Sequence, residues 1–189
     1  MRCYLIPILL SSTSLSNAFI SSTYVASINK SIRYGSSSRS LSMVTEGSGG
    51  GVVITGGAGG VGFAYAGEFM DRGYSVVICD VKDCSTAERV LKDRHPNGQI
   101  YSTICDVSDS NSVEKFGKFA QEKLGTIGYW INNAGINGGR RALRDVTMNQ
   151  VEMVVKVNLL GILLCTKVAM DIMAEQVNMN LYMYIYLIP

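Results

Sequence analysis

The chain has one histidine, three prolines and one tryptophan among its 189 residues. The histidine, His95, stands before Pro96 in a stretch that reads as a helix-to-strand loop. It is expected to be a surface residue rather than a catalyst or a metal ligand. The five cysteines, Cys3, Cys79, Cys84, Cys105 and Cys165, include no Cys-x-x-Cys spacing. Metal and redox-motif readings therefore lack support, and no metal site is expected. Cys79 and Cys165 lie in apolar runs and read as small core residues. Acid is missing from the first 45 residues, where Arg2, Lys30, Arg33 and Arg39 stand. The remainder is close to neutral, with no basic stripe for a nucleic acid. Uninterrupted long apolar runs are missing too. Residues 3–10 are too short to span a bilayer. The apolar stretch after Thr147 is broken by Asn158, Lys167 and Asp171, which argues against a membrane span.

What the chain does have is glycine, 20 residues of it. Residues 55–62 read Thr-Gly-Gly-Ala-Gly-Gly-Val-Gly. A β-branched run, Val52-Val53-Ile54, precedes them and an amphipathic stretch, 63–72, follows. Strand, glycine turn and helix in that order make a phosphate cradle. Glycines let backbone approach a pyrophosphate, and the helix N-terminus offers unpaired N–H groups to the anion. An acid at the end of the next strand completes the fingerprint by accepting from the ribose hydroxyl. Asp80 holds that place, closing the run Ser75-Val76-Val77-Ile78-Cys79.

The rest of the body alternates. Strands are expected at about 51–55, 75–80, 99–104 and 127–132, and helices at about 60–72, from 85, at 111–124 and at 147–176. Gly73 and Gly125 end the first and third helices. Ser85 with Glu88, and Thr147 with Gln150, read as capping boxes. Alternation of this kind implies right-handed crossovers. The fold class is α/β, a Rossmann-like doubly wound parallel sheet of order 3-2-1-4. The last helix is apolar on nearly all sides, so it is expected to pack on the sheet and on a second subunit.

The turn Thr55-Gly56-x-x-x-Gly60-Val61-Gly62 resembles that of the short-chain dehydrogenase/reductase family. The resemblance repeats in order along residues 51–176. Asp106-Val107 follows the third strand, where the family places its adenine contacts. Asn132-Asn133-Ala134-Gly135 matches the family's Asn-Asn-Ala-Gly turn. Asn158 sits where the family carries its active-site asparagine. The resemblance thus implies Thr55, Gly56, Gly60, Val61, Gly62, Asp80, Asp106, Val107, Asn133, Ala134 and Gly135 as cofactor-binding residues and Asn158 as catalytic. It implies a small-molecule carbonyl or alcohol substrate and a homo-oligomer paired through the helix at 147–176. Asp80 would repel a 2′-phosphate, and Gly59 stands where NADPH users carry a basic residue; the cofactor is expected to be NAD rather than NADP. The stretches 130–137 and 154–161 look like the plastid chlorophyll b reductase subgroup, which reduces a pigment formyl group.

Both ends depart from the family pattern. Residues 1–18 have the layout of a signal peptide, and 19–46 that of a transit peptide. Together they resemble a bipartite plastid presequence, with secretion as the alternative. Residues 47–50 read as a linker. A family member continues with a serine-bearing strand and a helix carrying Tyr-x-x-x-Lys. No lysine here has a tyrosine four positions before it. The body, 47–176, is therefore expected to be a partial Rossmann domain lacking its later strands. Residues 177–189 would be an aberrant tail, since Val177-Asn178 can be encoded by a codon pair beginning like an intron donor. Three readings follow: a truncated pigment-carbonyl reductase, a general short-chain alcohol dehydrogenase, and a non-catalytic dinucleotide-binding protein.

Overall fold

A computed structural model of the chain describes residues 50–137 and 142–176. The expected presequence, all but Gly50 of the linker, the Gly138-Gly139-Arg140-Arg141 loop and the expected tail lie outside the described residues.

Four five-residue strands form one parallel sheet: β1, Gly51–Thr55; β2, Val76–Asp80; β3, Ile100–Ile104; β4, Ile127–Ile131. Their order is β3-β2-β1-β4, as the alternation implied. Val53 pairs with Val77 and with Trp130, and Val77 with Tyr101. Successive residues of a strand point to opposite faces, and here both faces are covered. Val53, Val77, Cys79 and Trp130 enter one core with Val113, Phe116, Cys165 and Ala169. Val52, Ile54, Val76, Ile78 and Ile131 enter the other with Ala66, Met70 and Leu91. Burial on both faces explains why the strands read as continuous apolar runs rather than as alternation.

The helices that supply these faces are α1, Gly60–Asp71, and α2, Ser85–Arg94, on one side. On the other are α3, Ser110–Leu124, and α5, Ile162–Glu175. Gly73 and Gly125, at φ 79° and 68°, follow α1 and α3 as expected. Asp109 caps α3 by accepting from the Ser112 N–H. The Thr147–Gln150 box is present at the start of α4, Met148–Val155.

Several expectations are corrected. Ser85 and Glu88 form no capping box. Ser85 Oγ donates to Asp83, and Glu88 accepts from Ser102 Oγ across the helix–strand contact. His95 is not a free surface residue: it ends α2, its side chain is 15% exposed, and Nδ1 lies 3.6 Å from Asp71 Oδ1. The last helix is not α-helical throughout. Residues Lys156–Gly161 form a π-helical turn between α4 and α5. Gly161 there lies so close to Val107 that an added Cβ would sit 2.9 Å from Val107 Cγ2.

All four cysteines among the described residues are free and buried. Burial pushes the Cys165 thiol up to about 12 and the Cys84 thiol up to about 11, and holds Cys79 well above its usual range. The Cys79 contact instead holds Cys105 below its ordinary value. Cys79 and Cys165 are the core residues expected of them.

Candidate functional site

The order β3-β2-β1-β4 reverses direction beside β1. The chain steps outward from β1 to β3, then crosses back to β4 on the other side. Ligands of open α/β sheets bind where the two crossovers diverge, outside the carboxyl ends of the strands, here β1 and β4. Thr55 ends β1 and Asn132-Asn133-Ala134-Gly135 leaves β4, so the topology brings two separately read motifs to one place.

Hydrogen bonds lock them together. Thr55 Oγ1, on a buried residue, accepts from the N–H groups of Asn133 and Ala134, both at 3.0 Å. Asn133 Nδ2 donates back to the carbonyls of Thr55, at 2.9 Å, and Gly56, at 3.0 Å. Gly56 takes φ 70°, a left-handed conformation that costs a non-glycine residue about 1–2 kcal/mol. A Cβ there would meet Ala134 Cα at 2.8 Å. At Gly62 a Cβ would lie 2.2 Å from the Gly56 carbonyl oxygen and 2.5 Å from Asn133 Nδ2. The glycine at 62 thus lets α1 start against the turn itself. Around Gly59 and Gly60 there is open space, with no atom within 4 Å of where a Cβ would stand, while Gly60 shares the left-handed conformation at φ 57°. Val61 is half exposed beside them.

Asp80 reaches the same turn from β2. One carboxylate oxygen accepts from the Ala58 N–H at 3.2 Å, the other from the Lys82 N–H at 3.1 Å. These bonds fix the carboxylate at the mouth of the glycine turn. Asp106 is exposed and accepts from the Ser108 N–H and hydroxyl, at 2.9 and 2.7 Å. Val107 turns its side chain into the core against Gly161, so only its backbone is available to a ligand. Asn158 lies in the π-helical turn. Its Nδ2 donates to the Ile136 carbonyl at 2.7 Å and its Oδ1 accepts from the Ile136 N–H at 2.8 Å. Both ends of the amide hold the segment after Gly135.

The residues fit a dinucleotide. The space beside Gly59 and Gly60 adjoins the N-terminus of α1, where N–H groups and the helix dipole favour an anion. Asn133 Oδ1 is buried and accepts no hydrogen bond. Leaving such an acceptor unpaired costs about 1–3 kcal/mol, which a donor on a bound ligand would recover. Sequence reasoning placed Asn132 in its turn but gave it no role of its own, and it missed Thr166. Asn132 is 3% exposed and bonded to both Trp130 and Thr166. Alternation carried past the end of β4 could have flagged it, since successive extended residues point to opposite faces.

Similarity to known proteins agrees with this geometry. The chain is 36% identical over 142 residues to the probable chlorophyll(ide) b reductase NYC1, chloroplastic, of Arabidopsis thaliana, covering 66% of this chain and 29% of that protein. It is 32% identical over 127 residues to levodione reductase of Leifsonia aquatica, covering 66% of this chain and 48% of that protein. The crystal structure of a short-chain dehydrogenase/reductase from Burkholderia phymatum in complex with NAD superposes with a TM-score of 0.66 at 28% identity, covering 76% of this chain and 50% of that one. The chain spans half or less of the length of these relatives. Residues 51–180 match the short chain dehydrogenase family model. With that match over most of the sequence, and with the turn, the acid and the strand order all in place, the chain belongs to the short-chain dehydrogenase family of NAD(P)-dependent oxidoreductases.

Proposed function

We propose that the chain is the dinucleotide-binding part of an NAD-dependent oxidoreductase acting on a small carbonyl or alcohol, with a pigment formyl group as the substrate class. The observation that carries this reading is the Asp80 carboxylate, bonded to the Ala58 N–H at the mouth of the glycine turn. A fixed anion there accepts from a ribose 2′-hydroxyl and repels a 2′-phosphate. The nicotinamide cofactor supplies or takes the hydride. The chain's own residues do the holding. The backbone at Gly59, Gly60 and Val61 receives the pyrophosphate. Asp80 takes the ribose, and Asp106 with the Val107 backbone flanks the adenine. Asn133, Ala134 and Gly135 line the crevice, and Asn158 fixes Ile136 behind it.

The pigment substrate rests on the likeness to the probable chlorophyll(ide) b reductase NYC1, a chloroplastic protein by name. A plastid destination for this chain follows from the same likeness and from residues 1–46, and is read by where a fluorescent protein fused to those residues accumulates. The likeness to levodione reductase favours a second reading, a general short-chain alcohol dehydrogenase. The residues 148–175 form a helix long and apolar enough to cross a membrane. Its Cys165, Ala169 and Met173 face is buried in the core, which supports a soluble reading, while Leu159 and Leu163 are each 58% exposed. We assign that exposed face to self-association, which sedimentation at increasing protein concentration reads directly.

Titration with NADH and NADPH tests the proposal. The unmodified protein should bind NADH more tightly. Asp80→Ser should narrow the preference by roughly 10- to 100-fold, because a hydrogen bond to a charged acceptor contributes about 1.5–3 kcal/mol. Equal affinity for the two cofactors in the unmodified protein would remove the role given to Asp80.

A further inference from the structure

Asn132 and Asn133 stand side by side at the end of β4 and face opposite ways. Asn133 bonds to the β1 turn. Asn132 bonds to the helix layer behind the sheet: its Oδ1 accepts from Trp130 Nε1 at 3.1 Å, and its Nδ2 donates to Thr166 Oγ1 at 3.0 Å on α5. Trp130 is fully buried, its ring edge-on to Phe116 of α3 with centroids 5.5 Å apart. The chain Trp130–Asn132–Thr166 therefore ties the exit of β4 to both helices of one face. A buried polar network of this kind is favourable only when satisfied, and loosens its neighbours when one member is lost.

We infer that Asn132 and Thr166 are positioning residues for the dinucleotide crevice, acting through the turn at 133–135, and that Trp130 reports on that turn. The inference rests on the proposed dinucleotide site. The mechanism is a bolt through the sheet. Asn132 is held from the α5 side and Asn133 from the β1 side, so neither residue can rotate without breaking bonds of the other. The N–H groups of Asn133 and Ala134 are held on Thr55 Oγ1 only while the strand end keeps this register. Thr166→Val keeps the shape and removes the acceptor. It leaves a buried Asn132 donor unpaired, and the strand end must shift to find water for it. The Thr166 hydroxyl accepts from Asn132 on the α5 side of the sheet, away from the turn that Asn133 holds.

The test compares the unmodified chain with Thr166→Val, Thr166→Ser and Trp130→Phe. Amide hydrogen exchange is measured without ligand, NADH affinity by titration, and melting temperature alongside. In Thr166→Val, exchange at Asn133 and Ala134 should quicken and NADH affinity should fall, each by about fivefold, the size of one net hydrogen bond. Thr166→Ser restores the hydroxyl and should restore both readouts. Trp130→Phe removes the other end of the network and should move both in the same direction as Thr166→Val, which keeps the test intact if one variant fails to fold. NADH binding should also shift the emission of Trp130 in the unmodified chain, and Thr166→Val should diminish that shift. A fall in melting temperature with exchange at Asn133 and Ala134 unchanged would overturn the inference, as would failure of Thr166→Ser to rescue. The exchange arm needs no cofactor, so it decides the positioning role even if the unmodified chain binds no NADH, a result that would instead count against the dinucleotide reading.

Discussion

Placing a side chain at Gly62 should abolish dinucleotide binding by breaking the turn rather than by blocking the phosphate. The family resemblance implies both Gly60 and Gly62 as cofactor-binding residues. The structure separates them. A Cβ at Gly62 would lie 2.2 Å from the Gly56 carbonyl oxygen, a contact with backbone that no rotamer relieves. Gly62→Val should therefore cost roughly 3 kcal/mol or more, at the upper end of overpacking effects, and disrupt the Asn133 bonds to Thr55 and Gly56. Gly59 is the control. It is extended, at φ −173°, with open space around it, so Gly59→Ala should leave the melting temperature nearly unchanged. Any loss of NADH affinity in Gly59→Ala then reports ligand contact alone. Thermal unfolding and NADH titration of the two variants read this directly. A Gly62→Val protein that melts and binds like the parent would show that the turn does not have this packing.

The second large effect concerns turnover. A polypeptide of these 189 residues should bind NADH yet oxidise it no faster than buffer does when an aldehyde is supplied. Hydride delivery to a carbonyl needs a proton for the developing oxyanion, and a positioned general acid contributes roughly 100- to 10,000-fold. No lysine in the sequence has a tyrosine four positions before it, and an asparagine cannot supply that proton. The Asn158 amide is moreover spent on both backbone groups of Ile136. Following NADH absorbance with aliphatic and aromatic aldehydes checks the expectation. Steady turnover above the buffer rate would mean that another residue acts as the acid. A longer form carrying Tyr-x-x-x-Lys should turn over, and would favour the enzyme readings over a purely binding one.

The parallel sheet was legible because strands and helices alternate along the chain, which implies right-handed crossovers, and burial of Val52-Val53-Ile54 and Val76-Val77-Ile78 on both faces fits it. The two turns were legible as motifs, and the structure joins them through Thr55, Gly56, Asn133 and Ala134. What escaped were features decided by partners distant in sequence. Ser85 and Glu88 satisfied a local capping pattern, but Asp83 captured Ser85 and Ser102 captured Glu88. The π-helical turn at Lys156–Gly161 shows unbroken helical periodicity in sequence. Its register change accompanies two tertiary contacts, Gly161 against Val107 and Asn158 on Ile136. Such turns recur at functional sites, yet nothing local announces this one. Asn132 was read as part of its turn, but its bond to Thr166 on α5 joins residues distant in sequence.

Residue-resolved amide hydrogen exchange with and without NADH tests the central claim most directly, because it locates the ligand rather than merely detecting it. The account predicts slowed exchange at the backbone N–H groups of Gly59, Gly60, Val61 and Gly62, with a second protected stretch at Asn133, Ala134 and Gly135. Protection confined to the groove between α3 and α5, lined by Val113, Lys118, Leu164 and Val168, with the glycine turn unaffected, would contradict it.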